Sequence, residues 1–228
     1  AFEGARIACG MRGTHGAVEK VVFEDDVRLE VIGGGAPAGI CGSGLIDLIA
    51  GLLDHGIVSP EGQLLPPGEL PAALAPALAA RVRTDADGAV FFLLAEAADP
   101  ASPPVVLTQR DVREVQLGSG AVRTGITLLL RQAGLTVADL GTVLIAGGFG
   151  NFIRRSSAQR IGLLPGGIGH ERIRYIGNAS LAGAKAVLLS EKARRLGEGL
   201  ARRVRHVERS TLEGFQDAFA DAMFFPGG

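Results

Sequence analysis

The stretch TVLIAGGFGN, residues 142–151, constrains the fold of this 228-residue chain more than any other segment. Val143, Leu144, Ile145 and Ala146 form a continuous apolar run, too short for a helix and with glycine on both flanks. It therefore reads as a short buried strand. That strand runs straight into Gly147, Gly148, Phe149 and Gly150, where glycines permit positive φ and remove the Cβ atoms that keep a ligand off the backbone. In an open α/β sheet, ligands lie outside the carboxyl ends of the strands. A strand ending in GGFGN is either a resting place for a flat or phosphorylated ligand or a tight strand-to-helix turn, and the pattern alone allows both.

Upstream, residues 17–23 and 27–32 are β-rich and separated by Glu24, Asp25 and Asp26, which predicts a hairpin. His15, in the loop before it, reads as a solvated loop residue. Residues 39–44, GICGSG, then open a helix with Leu45, Leu48, Ile49 and Leu52 on one face. Ser43 is its expected N-cap and Gly56 its expected stop. Free N–H groups at such a turn can hold a phosphate, although the P-loop pattern is absent.

Residues 57–105 change character, holding eight of the eleven prolines. A short Ala-rich helix near residues 70–80 and a hairpin turned at Asp87 and Gly88 make this a small α+β insert. Thr108 then opens the longest helix with a capping box closed by Asp111, and Gly134 ends it. Gly118, Gly120 and Gly125 lie inside that helix at about 1 kcal/mol each against Ala, so close packing or a ligand must offset them. A strand over 172–176 ends at Gly177 and Asn178, with Asn178 the expected N-cap of the next helix. Residues 204–207 read as a last strand, Ser210 to Glu213 as a capping box, and Phe215, Phe219 and Met223 or Phe224 as the apolar face of a terminal helix. Strands alternating with helices give an α/β fold with three-layer packing.

The net charge of −1, without a basic block, argues against nucleic acid as a partner. Cys9 and Cys41, the two cysteines, are too few for a cysteine-ligated cluster and read as buried free thiols of a cytoplasmic protein, with a disulfide as the less favoured alternative. No apolar run approaches the ~20 residues that span a bilayer, and the N-terminus lacks the layout of a secretory signal. The chain begins without Met, in what reads as mid-fold, and is expected to be a piece of a longer protein.

ICGSGLIDL, TQRDVREVQL and AGGFGNF followed by IGNASLAGA occur in one order, and this resembles the second half of the superfamily joining acetate and sugar kinases, actin and the heat-shock chaperone ATPases. With ACGMRGTHGAVEKV and IGLLP added, the chain is similar over nearly its whole length to the C-terminal domain of the ATP-dependent reductive activators of corrinoid proteins. The resemblance implies the second half of an actin-like ATPase fold, three-layer α/β/α, with residues 1–56 and 106–228 forming the adenosine-side lobe and 57–105 the insert. Gly147, Gly148, Phe149, Gly150 and Asn151 match the adenosine motif. Gly42, Ser43 and Gly44 lie where N–H groups approach the phosphates. Gln116, Ser119, Gly120 and Arg123 lie on the helix face that encloses the base in relatives, and Gly177 and Asn178 close the rim. Gly118 and Ser119 depart from an Ala-Lys pair in the family, which removes a lysine contact to base or ribose.

The resemblance further implies ATP or ADP with Mg²⁺ as the ligand, with the Mg²⁺ ligands outside this chain, and a 2Fe-2S cluster in a further N-terminal domain. The implied activity is reduction of a Co(II) corrinoid to Co(I) on a partner corrinoid protein or corrinoid-dependent methyltransferase; a homodimer is left open. The alternatives are a small-molecule kinase of the same superfamily and a non-enzymatic interaction module with a vestigial nucleotide site. No catalytic residue and no metal ligand is expected within the chain, so it should not hydrolyse ATP by itself. Glu3, Asp47 and Asp111, the acids near the glycine turns, read as solvated or capping residues.

Overall fold

The computed structural model describes residues 6–100, 102–147, 152–208 and 212–227. Strands β1 (Ala17–Phe23) and β2 (Val27–Val31) form the expected antiparallel hairpin, and β3 (Gly39–Ile40) pairs parallel with Ala17 and Val18 on the other edge of β1. Helix α1 (Gly42–Asp54) packs on β1 and is buried nearly all round, with Leu45, Ile46, Leu48, Ile49 and Leu52 in the core. Its N-cap is Cys41 rather than Ser43. Cys41 has the extended backbone that a cap needs, while Ser43 is already inside the first turn. His55 ends the helix, and Gly56 turns the chain at a φ of +64°.

In the insert the expected Ala-rich helix shrinks to α2 (Pro76–Ala79). Pro76 suits a first helical position but disfavours helical backbone at Ala75, so the helix starts there and not earlier. Strands β4 (Val82–Thr84), β5 (Val90–Ala95) and β6 (Val105–Thr108) form an antiparallel sheet in that order. Leu78, Val82, Phe92, Leu94 and Leu107 belong to the same apolar cluster as Val18 and Ile49, so the insert and the lobe share one core.

Arg81 pins the insert to the β1–β2 turn. Its guanidinium chelates the Asp26 carboxylate, with Nη2 to Oδ2 at 2.8 Å, and its Nη1 donates to the carbonyls of Leu93 and Leu94. The hydrogen bond from Arg81 is the main cause that holds the Asp26 pKa below its ordinary 3.8. A carboxyl depressed on folding stabilises the fold above its unfolded pKa, and that contribution fades as pH falls through the folded value. Between pH 5 and pH 2, roughly the range over which carboxylates protonate, Asp26→Asn should therefore lose less stability than the native chain. The half-exposed position keeps the difference small. Urea midpoints over that range check the sign.

Helix α3 (Gln109–Ala133) starts in the capping box: Thr108 Oγ1 accepts from the Asp111 N–H, and Asp111 Oδ2 accepts from the Thr108 N–H at 2.8 Å. Gly134 ends it in the left-handed region at a φ of 66°. Then come β7 (Val143–Ile145), α4 (Arg155–Arg160) and β8 (Ile173–Tyr175), with β8 parallel to β7. Helices α5 (Ala179–Leu189), α6 (Glu191–Ala201) and α7 (Phe215–Ala222) complete the chain.

Three further expectations need correction, and a fourth falls partly outside the described residues. Strand β7 is not fully buried: β8 covers one edge, and Leu144 is 58% exposed. Residues 204–207 form no strand, because no neighbour among the described residues offers them a ladder. Of the expected second capping box, Ser210 and Thr211 lie outside the described residues, and α7 is preceded by Gly214 at a φ of 75°. Cys41 is buried, but Cys9 is only partly so; both are free thiols.

Candidate functional site

Two parallel strands end side by side at glycine. After β7 comes Gly147 at a φ of +108°, and after β8 comes Gly177 at a φ of +64°. The Gly147 N–H donates to the Gly177 carbonyl at 2.7 Å, so the two turns are joined directly. Among the described residues, a Cβ on either glycine would meet nothing within 4 Å. Positive φ, not crowding, calls for glycine there, and the space beside the backbone stays open. Asn178 caps α5 as expected, its Oδ1 accepting from the Leu181 N–H at 3.0 Å. Strand ends, open backbone and a helix N-terminus thus converge where an α/β sheet binds ligands. Gly148, Phe149, Gly150 and Asn151 lie outside the described residues.

Gly42, Ser43 and Gly44 form the first turn of α1, and all three are buried. The Cys41 side chain makes no capping bond to this turn; its thiol instead reaches the Val18 carbonyl at 3.4 Å and the Ser43 hydroxyl at 3.4 Å. Gly44 has a packing reason of its own: a Cβ there would stand 2.3 Å from the Val18 carbonyl oxygen.

The α3 residues face elsewhere. Gln116 is 1% exposed; its Nε2 donates to the carbonyls of Glu61 and Met223, and its Oε1 accepts from Arg113. The Ser119 hydroxyl donates back to the Val115 carbonyl. A Cβ on Gly120 would stand 3.0 Å from the Ala222 carbonyl oxygen, and Arg123 Nη1 donates to the Phe224 carbonyl at 2.9 Å. Gln116 and Arg123 thus seat the end of α7 and the residue after it, while Ser119 bonds only within α3. For Gly120, at least, close helix packing offsets the cost of glycine. Arg123 also borders a cavity of about 230 Å³ with Thr127, Leu130 and Leu164.

One group escaped the sequence reading. Asp47 is 3% exposed, so it is neither solvated nor a cap; its Oδ1 accepts from Arg154 Nε at 2.8 Å. Apolar neighbours at 46, 48 and 49 were the available signal, since they put residue 47 in the buried middle of the helix, whereas the other acid, Asp54, sits at its exposed end. Asp111 does cap α3, and it also accepts from the Ala8 N–H at 2.8 Å. Glu3 lies outside the described residues. Arg155 covers the Tyr175 ring at 4.7 Å, and burial raises the pKa of that phenol.

The family model described as the C-terminal domain of RACo, the ASKHA domain, matches residues 1–228. The chain belongs to that family. As a RACo-type ASKHA domain it has the actin-like α/β fold. It superposes with a TM-score of 0.83 on a solved reductive activator for corrinoid, iron-sulfur protein, at 36% identity over 99% of this chain and 35% of that one. The corrinoid activation enzyme RamQ of Eubacterium limosum is 38% identical over 221 residues, which cover 96% of this chain and 37% of RamQ. A Co(II) methylated amine-specific corrinoid protein reductase of Methanosarcina barkeri is 33% identical over 92 residues, 40% of this chain and 16% of that protein. This ASKHA domain thus spans little more than a third of the longer curated relative that it matches. Among the described residues no helix is long and apolar enough to cross a membrane.

Proposed function

We propose that this domain is the nucleotide-binding part of an ATP-dependent reductive activator that returns a Co(II) corrinoid to Co(I) on a partner corrinoid protein or corrinoid-dependent methyltransferase. The observation that carries the nucleotide reading is the Gly147–Gly177 link: two parallel strand ends joined through glycines, with open space beside both backbones. Gly147 through Asn151, with Gly177 and Asn178, would hold the adenosine, and the first turn of α1 (Gly42, Ser43 and Gly44) would face the phosphates. Arg123 is kept as a residue at the edge of the base site. Gln116 and Gly120 are better explained by their packing against α7 and its C-terminal end, and Ser119 by its bond to the Val115 carbonyl of its own helix, so the three are not included.

Bound ATP would supply the free energy for moving two lobes of the longer protein together. The residues of this chain would bind and orient it: glycine backbone admits a flat base, and the α1 dipole favours negative charge at its first turn. The Mg²⁺ ligands and the iron–sulfur cluster belong to parts of the protein outside these residues in this reading. Support for the corrinoid role comes from the relatives named above, which are described as corrinoid activators and reductases.

Calorimetric titration of ATP–Mg²⁺ and of adenosine tests the nucleotide reading. Both should bind the native domain, and Gly147→Val should abolish binding of both, because its side chain would fill the open space and strain a φ of +108°. Thermal unfolding of the variant confirms that it remains folded. Equal affinities in native and variant would overturn the placement. The domain alone should show no ATP turnover.

A further inference from the structure

Val21 sits on β1 beyond the point where β3 stops pairing, so its outer edge has no strand neighbour among the described residues. Two side chains stand in for one. The Val21 N–H donates to Asp47 Oδ2 at 3.4 Å, and the Val21 carbonyl accepts from Arg154 Nη2 at 2.6 Å. Arg154 Nε closes the triangle on Asp47 Oδ1. The guanidinium is therefore held at two of its nitrogens, on two partners in different elements. A planar fork fixed in this way sets direction as well as distance.

The positions of these residues in the chain matter. Asp47 lies three residues after Gly44, on the helix whose first turn is the phosphate side of the proposed site. Arg154 lies three residues after Asn151, where the chain leaves GGFGN and enters α4 as its N-cap. The pair thus joins the segment after one glycine turn to the helix that begins with the other. A second pair, Arg160 Nε to Asp54 Oδ1 at 2.6 Å, ties the far end of α4 to the far end of α1. Asp54 is 58% exposed, so that outer pair is water-screened and weak. The inner pair joins Asp47, 3% exposed, to Arg154, 39% exposed, and the two fixed nitrogens of Arg154 set the geometry. A buried ion pair is seldom needed for stability, since apolar side chains of similar volume often do as well or better. What it adds here is a defined separation and angle.

We infer that Asp47 and Arg154 are positioning residues that hold the adenosine turn and the phosphate turn in register, so that nucleotide affinity depends on them although neither touches the nucleotide. This rests on the nucleotide reading above. ATP spans both turns, whereas adenosine uses one. Loss of register therefore weakens ATP binding and leaves adenosine binding as it was.

The experiment is titration of ATP–Mg²⁺ and adenosine into the full-length protein, native, Arg154→Lys and the double variant Asp47→Leu with Arg154→Met. The double variant should unfold below the native temperature, because the buried Val21 N–H and carbonyl lose these partners, and while still folded it should lose about tenfold in ATP affinity and keep its adenosine affinity. Arg154→Lys, which keeps the charge but loses the second fixed nitrogen, should lose about threefold for ATP alone. If the double variant fails to fold, Arg154→Lys decides. Native ATP affinity in a folded variant, or an equal loss for both ligands, overturns the inference. A native protein that binds neither ligand instead removes the nucleotide reading itself, and the inference with it.

Discussion

Valine at Gly44 is expected to destabilise the domain by about 3 kcal/mol or more, the upper range for overpacking a close contact. The added Cβ would lie 2.3 Å from the Val18 carbonyl oxygen and 3.0 Å from its carbon. Both are backbone atoms of β1, so no rotamer change relieves the clash, and α1 must lift off the sheet. Because α1 is buried nearly all round, lifting it opens the middle of the core. Urea denaturation should show a much lower midpoint, and an unchanged midpoint would contradict the packing role. Loss of ATP binding in a Gly44 variant would therefore not identify a phosphate contact. Gly147, whose missing Cβ faces open space, is the informative position.

Phe92→Ala should cost about 3–5 kcal/mol, the range for truncating a fully buried aromatic side chain. Phe92 is 0% exposed at the centre of β5, and its ring lies 6.4 Å from that of Phe23 on β1. It joins the insert to the lobe. The expected result is a single unfolding transition shifted as a whole, with the native circular dichroism retained below it. Independent melting of the insert, with the lobe unaffected, would show that the two do not share a core.

Local signals in the sequence were read well. The β1–β2 hairpin, the Thr108–Asp111 capping box, the Gly134 stop and the Asn178 cap each depend on residues within a few positions of one another, and each forms as expected. Both strands that end at glycine were legible from their short β-rich segments; that they lie side by side, parallel, comes from the structure. What was not legible depends on distant partners. Gln116 and Met223 are 107 residues apart, and so are Asp47 and Arg154. Helical periodicity placed Gln116, Ser119, Gly120 and Arg123 near one another without saying what covers them; for Gln116, Gly120 and Arg123 it is the end of α7 and the residues after it. Ser43 looked like a cap because serine favours caps, but the turn begins two residues earlier, at Cys41. The Val-Arg-His-Val segment at 204–207 met the local criteria for a strand and has no neighbour to pair with among the described residues.

In the proposed function, nucleotide use by the longer protein serves reduction of a corrinoid. ATP hydrolysis by the full-length protein, measured anaerobically with and without a Co(II) corrinoid protein while cobalt absorbance is followed, tests it most directly. The account predicts that hydrolysis accelerates when the corrinoid protein is added, and that Co(I) accumulates only while ATP is present. A hydrolysis rate indifferent to the corrinoid protein, with no Co(I) formed, would contradict it.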